Sequence, residues 1–333
     1  MNNDTKELAS LVSRLQGRRI LVAGDIVADV YIDGRISRIS REAPVLVLEQ
    51  AGKTIIAGGA ANVVHNGATL GGLVTAIGIV GDDADAEGVK AILTDAGVDT
   101  TGLVCDPTRP TISKTRIIAG GRATVSQQIV RLDNESREKL SREAEARLLH
   151  AIDAALPGVD GIVISDYGSG TITDKVKDRL ITYARAHDIP SIVDSRYDIH
   201  RFADIGYVKQ NDSELAAASG RRLKGADDII EAARNLLLEL RAYGVLVTRG
   251  ELGMILVQKN GEVDNIPVTD KSEVYDVSGA GDTCVATVIL ALASGIAPGD
   301  AARLSNYASG IAVRKLGTAT VSAEELQRTI ERA

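Results

Sequence analysis

Residues 275–283 read Tyr275-Asp276-Val277-Ser278-Gly279-Ala280-Gly281-Asp282-Thr283 and run directly into the apolar stretch Cys284 to Ala293. Glycines and small residues just before a helix let backbone N–H groups converge on an anion, and the helix start adds positive partial charge at the same point. Asp282 falls in the first helical turn, where the dipole favours a carboxylate and where it stands beside whatever anion the turn receives. The plainer alternative is a tight turn before a core helix that Asp282 caps. What surrounds the turn decides between them.

Upstream, short Val/Ile-rich runs alternate with helical patterns. The runs are Ile20 to Ala23, Val74 to Val80, Gly161 to Ser165, Ser191 to Val193, Tyr207-Val208 and Gly244 to Thr248. Between them, segments such as Ser141 to Leu156 and Thr173 to His187 repeat apolar residues at three- and four-residue steps. Continuous apolar strands joined by helices predict an α/β fold: a mainly parallel sheet with helices on both faces and ligand sites at the carboxyl ends of its strands. Two stretches break the rhythm. Val30 to Thr54 and Thr111 to Asp133 are strand-like, with turn signals at Asp33-Gly34 and Gly120-Gly121. They predict a small antiparallel β flap, a lid inserted at about residues 30–54 and 111–133 of a single domain spanning 1–333. So few strands bury little by themselves. The lid is therefore expected to close over a ligand, to pair with a second subunit as a homodimer, or both.

Composition narrows the partners. The 333 residues carry a net charge of −7, with one Phe, eight Tyr and no Trp. Few ring faces for base stacking and an acidic balance argue against nucleic acid and anionic lipid. Cys105 and Cys284 lie far apart, with no Cys/His cluster that would suggest zinc or a disulfide framework. Met1 to Ser10 is polar and has no apolar signal core, and Cys284 to Ala293 is about half of a membrane span. A cytoplasmic location is expected.

Within such a fold the turn and Asp282 suit phosphoryl transfer, which needs preorganised donors for growing negative charge and a base for the attacking hydroxyl. The donors are the amides of Gly279, Ala280 and Gly281; the base is Asp282. The string Asp276 to Asp282 resembles the C-terminal signature of the ribokinase/PfkB sugar kinases. Ala57-Gly58-Gly59-Ala60-Ala61-Asn62, before a helical run, resembles that family's N-terminal Gly-Gly signature, though by itself it reads equally as a turn before a helix.

The resemblance implies a ribokinase-like fold, ATP and Mg2+, and it leaves a monovalent cation open. It implies that Asp29, Gly58, Gly59 and Asn62 hold the sugar. Asn211-Asp212-Ser213-Glu214 resembles the family's Asn-x-x-Glu element, which orders Mg2+ and makes Asn211 and Glu214 its metal-side residues. Without that context the same residues make an N-cap at Asp212 or Ser213. Thr248, Gly250 and Gly253 match the turn that holds nucleotide phosphates and also suit a hairpin, and Asn306, on a small-residue helix, is placed near the adenine.

Inside the family the chain most resembles the heptose 7-phosphate kinases of lipopolysaccharide core synthesis. The stretches that carry this are Ser37 to Val45, Thr111 to Arg116, Gln127 to Asp133, Ile164 to Gly170 (with Asp166) and Lys315 to Thr318. They imply transfer to the C1 hydroxyl. A phosphosugar needs local cations on an acidic protein, and Lys114 and Arg116 share a strand face, with Arg38, Arg41 and Arg131 in the same lid. Edge strands also carry such charges against aggregation. Two departures bear on the substrate: Asp194-Ser195-Arg196 stands where the family carries Asp-Pro-Lys, and Lys209-Gln210-Asn211 where it tends to carry Thr-Pro-Asn. The length is expected to leave no room for the nucleotidyl-transferring domain that some heptose enzymes add.

Two rivals remain. Gly168-Ser169-Gly170 after Ile162 to Ser165 suggests an NAD-dependent oxidoreductase, but Thr173 replaces the third glycine. A non-catalytic nucleotide- or sugar-binding protein would keep a pocket without needing Asp282.

Overall fold

The computed structural model describes residues 3–120, 126–136, 138–269 and 275–333. Along the first half the strands are β1 (Arg19–Gly24), β2 (Ile26–Ile39), β3 (Leu46–Gly59), β4 (Leu73–Val80), β5 (Asp99–Cys105), β6 (Ile112–Gly120) and β7 (Gln127–Asn134). Then come β8 (Gly161–Asp166), β9 (Ser191–Ser195), β10 (Tyr207–Asn211), β11 (Gly244–Thr248), β12 (Met254–Gln258) and β13 (Val263–Ile266). The helices are α1 (Asn3–Leu11), α2 (Ala60–Thr69), α3 (Ala84–Asp95), α4 (Arg142–Ala155) and α5 (Asp174–Ala186). They continue with α6 (Asp212–Ser219), α7 (Ala226–Leu240), α8 (Ala280–Ala293), α9 (Pro298–Ala312) and α10 (Ala323–Arg332).

Nine strands form the main sheet in the order β13-β12-β11-β10-β9-β8-β1-β4-β5. From β5 to β11 every pairing is parallel, and β12 and β13 close one edge as antiparallel strands. The apolar runs read from the sequence are its centre. In β1, Ile20 and Val22 join one apolar cluster with residues of α2, α8 and α9, while Leu21 and Ala23 join a second with residues of α4, α5 and α7. Alternate side chains of a strand point to opposite faces, so a strand apolar at every position must be covered twice. The helices supply that cover. Their starts follow from local chemistry: Ser141 and Thr173 cap α4 and α5 by accepting the amides of Ala144 and Val176.

The lid is a four-stranded sheet of order β3-β2-β6-β7. Its two hairpins, β2–β3 and β6–β7, are antiparallel, and β2 and β6 pair in parallel between them. The pair Asp33-Gly34, expected to turn the chain, lies inside β2 at a register shift, where a bulge takes up the local irregularity. The chain turns farther on, where Ser40 N–H donates to the Val45 carbonyl at 2.8 Å. Gly120 ends β6, and Gly121 lies outside the described residues. No helix among the described residues is long and apolar enough to cross a membrane.

Candidate active site

Helix α8 begins after Gly279, whose φ of 79° is open to glycine at little cost. A Cβ there would stand 2.5 Å from Asn62 Nδ2, so side-chain bulk is excluded as well. Among the described residues the N–H groups of Gly279 and Gly281 carry no hydrogen bond, and that of Ala280 has only a long one, 3.4 Å, to the Val277 carbonyl. Asp282 follows on the first turn, 5% exposed. Asn62 Nδ2 donates to its Oδ2 at 2.8 Å and the Tyr167 hydroxyl to its Oδ1 at 2.9 Å. Behind Asn62, Asn66 donates to Asn62 Oδ1 and accepts from the Thr283 hydroxyl, which ties α2 to α8. Burial pushes the Asp282 carboxyl up to about 6, with the charge of Asp194 adding to it and the bonds from Asn62 and Tyr167 opposing it. A carboxylate poised there, fixed by two donors, is suited to accept a proton near neutral pH.

Asp282 and the Gly279–Gly281 turn line a cleft of about 450 Å³ at the carboxyl ends of β8, β9, β10 and β11. Asp166, Tyr167, Asp194, Arg196, Lys209 and Glu214 complete its polar wall. Asp166 accepts the Ser195 hydroxyl at 2.8 Å and the Gly168 amide at 3.1 Å, and burial holds its carboxyl above the usual range. Lys209 donates to Asp194 at 2.8 Å. Desolvation works against its charge, but the carboxylates of Asp194 and Glu214 outweigh it and hold the ammonium protonated. The cap of α6 is Asn211 itself, one residue before Asp212 and two before Ser213. Its Oδ1 takes the Glu214 amide at 2.8 Å while Glu214 Oε2 takes the Asn211 amide at 2.7 Å, a reciprocal capping box. Neither the Lys209–Asp194 pair nor Tyr167 was singled out from sequence. Lys209 enters there only as a departure from a pattern and Asp194 only as the first residue of another, although a Lys and an Asp at strand ends are a signal.

A second cavity of about 580 Å³ shares Thr248, Val277, Ala280 and Gly281 with the first. Thr248, Gly250, Gly253 and Asn306 all line it, with Leu252, Met254, Val268 and Val313 as apolar walls. Gly253 has φ 82° and no room for a Cβ, which would lie 2.1 Å from the Ile266 carbonyl oxygen. The turn is also the β11–β12 hairpin, closed by Arg249 N–H to the Gly253 carbonyl at 2.8 Å, as the plainer of the two sequence readings has it. Asn306 Nδ2 donates to the Pro267 carbonyl at 2.7 Å.

On the lid side, Asp29 is buried and its carboxylate accepts Arg116 Nη1 at 2.6 Å. A Cβ on Gly58 would stand 2.4 Å from Asp29 Oδ2, and one on Gly59 (φ 55°) would stand 2.7 Å from Val27 Cγ2. The two glycines thus make room for β2 and its carboxylate. Asn62, expected to reach sugar hydroxyls, donates to Asp282 and accepts from Asn66. Register puts Lys114 beside Asp29 and opposite Asp133, and Arg116 opposite Arg131, so these groups share one face. Lys114 lies over the Tyr167 ring at 5.5 Å and Arg196 over it at 4.9 Å. Arg131 forks onto Asp133 at 2.8 and 2.7 Å. Arg38 does not join them: at about 3.3 Å per residue it lies about 30 Å along β2 from Asp29.

The loop around Gly168 to Gly170 gives most of its amides to protein carboxylates. Asp25, fully buried, accepts the amides of Tyr167, Ser169 and Thr171 at 2.8, 3.1 and 3.2 Å. The Gly168 amide goes to Asp166 at 3.1 Å, so four successive or alternate amides of this loop are given to protein carboxylates rather than to a pyrophosphate, which argues against the dinucleotide alternative.

A family model described as pfkB family carbohydrate kinase matches residues 18–326. The bifunctional protein HldE of Geotalea uraniireducens (strain Rf4) is 40% identical over 326 residues, 97% of this chain. The chain spans 65% of that relative's length. Among solved structures, phosphofructokinase-2 from Escherichia coli in complex with substrates and products superposes with a TM-score of 0.76 at 23% identity, covering 95% of this chain and 99% of the other. Arabidopsis thaliana ribokinase complexed with ribose and ATP gives 0.73 at 17% identity, with 95% and 99% covered.

Proposed function

Since the chain belongs to the pfkB carbohydrate kinase family, we propose that it transfers the γ-phosphoryl group of ATP to the C1 hydroxyl of a heptose 7-phosphate. One observation carries the chemistry: a buried carboxylate, Asp282, held by Asn62 and Tyr167 beside the helix-start amides of Gly279 and Gly281, which have no partner among the described residues. In this reading ATP lies along the second cavity, with its phosphates between Thr248–Gly253 and the α8 turn. The acceptor hydroxyl stands at Asp282, which takes its proton as the oxygen–phosphorus bond forms and the bond from phosphorus to the β–γ bridging oxygen breaks.

Among the described residues no three acidic, His or Cys side chains gather to hold an ion by themselves, so a divalent cation would be held by Glu214 together with the polyphosphate. Four carboxylates, Asp166, Asp194, Glu214 and Asp282, line the cleft against Arg196 and Lys209, and a polyphosphate brings further negative charge. Glu214, with Oε1 uncommitted, is the residue to hold Mg2+, directly or through water, with Asn211 fixing its carboxylate by the capping box. When bound, the ion supplies charge neutralisation across the phosphates.

The phosphate of the sugar falls to Lys114 and Arg116, on the inner face of the lid, supported by Arg131. The resemblance to heptose 7-phosphate kinases and the similarity to HldE support this choice. A second reading, a sugar without a phosphate, is favoured by the Arg116 charge being matched already by Asp29 at 2.6 Å. Ile36, Ile39, Val45, Leu46, Val130 and Leu132 are exposed on the lid strands and their turn, which supports a homodimer through this sheet. Incubation with ATP, Mg2+ and a panel of sugars and sugar phosphates, with products identified by phosphorus NMR, tests both readings. A new anomeric phosphate on a heptose 7-phosphate is expected; turnover confined to unphosphorylated sugars would select the second reading.

A further inference from the structure

We propose that Lys209 is a further catalytic residue, whose ammonium contacts the phosphoryl group in transfer; the inference rests on the kinase reading above. Lys209 ends in the floor of the catalytic cleft, at the carboxyl-terminal part of β10, and is only 5% exposed. An ammonium has three N–H donors. Among the described residues Nζ makes one hydrogen bond, to Asp194 Oδ2 at 2.8 Å. Its position relative to the turn is fixed by Gly281: a Cβ on that glycine would stand 2.8 Å from Nζ. The missing side chain therefore lets a full positive charge press against the same turn that gathers the amides.

The sign of that charge separates function from scaffolding. A helix start is positively polarised and favours anions, so a cation beneath α8 is unfavourable to the helix. Asp194 offsets it, but a buried ion pair is weak support for stability, because an apolar pair of similar volume serves the fold as well. What makes the arrangement favourable is an anion arriving between the amides and the ammonium. Of the other cations nearby, Arg116 is paired with Asp29, and Lys114 and Arg196 lie over the Tyr167 ring, whereas Lys209 is set directly against the turn. The transfer balances without proton exchange at Lys209. The acceptor oxygen bonds to phosphorus, the bond to the bridging oxygen breaks, the proton goes to Asp282 and ADP departs. Lys209 supplies fixed charge to the equatorial oxygens as that charge is redistributed.

The test uses Lys209→Met, which keeps the volume, and Lys209→Thr, which keeps a strand-forming residue. Turnover is expected to fall by about 10²- to 10³-fold, the effect of removing one preorganised donor, while KM for ATP and for the acceptor stays within about threefold. The Kd for ADP with aluminium fluoride and Mg2+, an analogue of the phosphoryl in flight, should weaken by a similar factor and that for ADP alone should not. Variants whose turnover and analogue affinity match the wild type overturn the assignment, whatever happens to their Tm. On wild-type protein, nitrogen-15 NMR of the buried lysine ammonium gives an arm independent of variant folding. Its resonance should move when the ADP–aluminium fluoride complex is added and not with ADP alone; an unmoved resonance sinks the idea. Failure of the kinase reading looks different, because then the wild type neither binds ADP nor converts any acceptor, and the assignment falls with it.

Discussion

Strands β8 and β7 show how differently two parts of this chain use a strand. All six residues of β8 are buried between parallel neighbours, whereas none of the eight in β7, at the edge of the lid, is buried. The body's apolar residues are accounted for by packing against helices on both faces, so its geometry is set without a ligand. The lid's are only partly so: its base packs on the body through Val30, Ile32 and Ile55, with Lys53 reaching Asp85 at 3.3 Å, while Ile39, Leu46 and Leu132 face solvent. In the proposed reading, chemistry belongs to the part that packs itself, and recognition to the part that needs something to pack against.

The sharpest way to break that division is Asp282→Asn, in the body. Turnover should fall by about 10²- to 10⁴-fold with ATP affinity, measured by calorimetry, kept within about threefold; unchanged turnover would remove the base. In the lid, replacing Lys114 and Arg116 together by Ala should raise KM for a phosphorylated sugar by about 10- to 100-fold, since a charged hydrogen bond is worth about 1.5–3 kcal/mol. The KM for ATP should barely move, and equal effects on both substrates would mean that the lid does not read phosphate.

A pH profile sharpens the contrast further. The base acts only when deprotonated, and burial raises Asp282 to about 6. The acidic limb of kcat/KM should therefore sit near pH 6, dropping about tenfold per unit below it, rather than near pH 4. Tyr167→Phe removes a bond that favours the charged form, so it should shift the limb upward; a limb that stays put would deny Tyr167 its hold on the base. The smallest effect is expected from Ile39→Ser with Leu132→Ser. Tm should change by only a few degrees, in line with about 0.5 kcal/mol per exposed site, while light scattering reports a halved mass. A wild type already monomeric in that experiment would contradict the dimer.

The body was legible because its strands are continuous apolar runs: Ile20 to Ala23, Val74 to Val80 and Gly161 to Ser165 fall inside β1, β4 and β8. The lid was legible as strands but not in its turns. Asp33-Gly34 has turn chemistry, yet cross-strand pairing on both sides carries β2 through it as a bulge. The α8 turn could be read locally, since everything it needs lies within a few residues. Tyr167, Lys209 and Asp194 could not, because strands distant in sequence bring them together and no local spacing records that meeting. Asp25 was passed over for Asp29, although an acid directly after β1 is well placed to collect amides from the loop after β8, as it does.

Strand β3 runs from the outer end of the lid to Gly59, and that residue caps α2, whose first turn carries Asn62 to Asp282. Cover and buried carboxylate are therefore linked along one stretch of backbone, with a glycine at φ 55° as the joint between β3 and α2. Three residues beyond that joint, a 2.8 Å contact ties the connection to Asp282. Stiffening the joint would trade access for alignment, and loosening it would do the reverse.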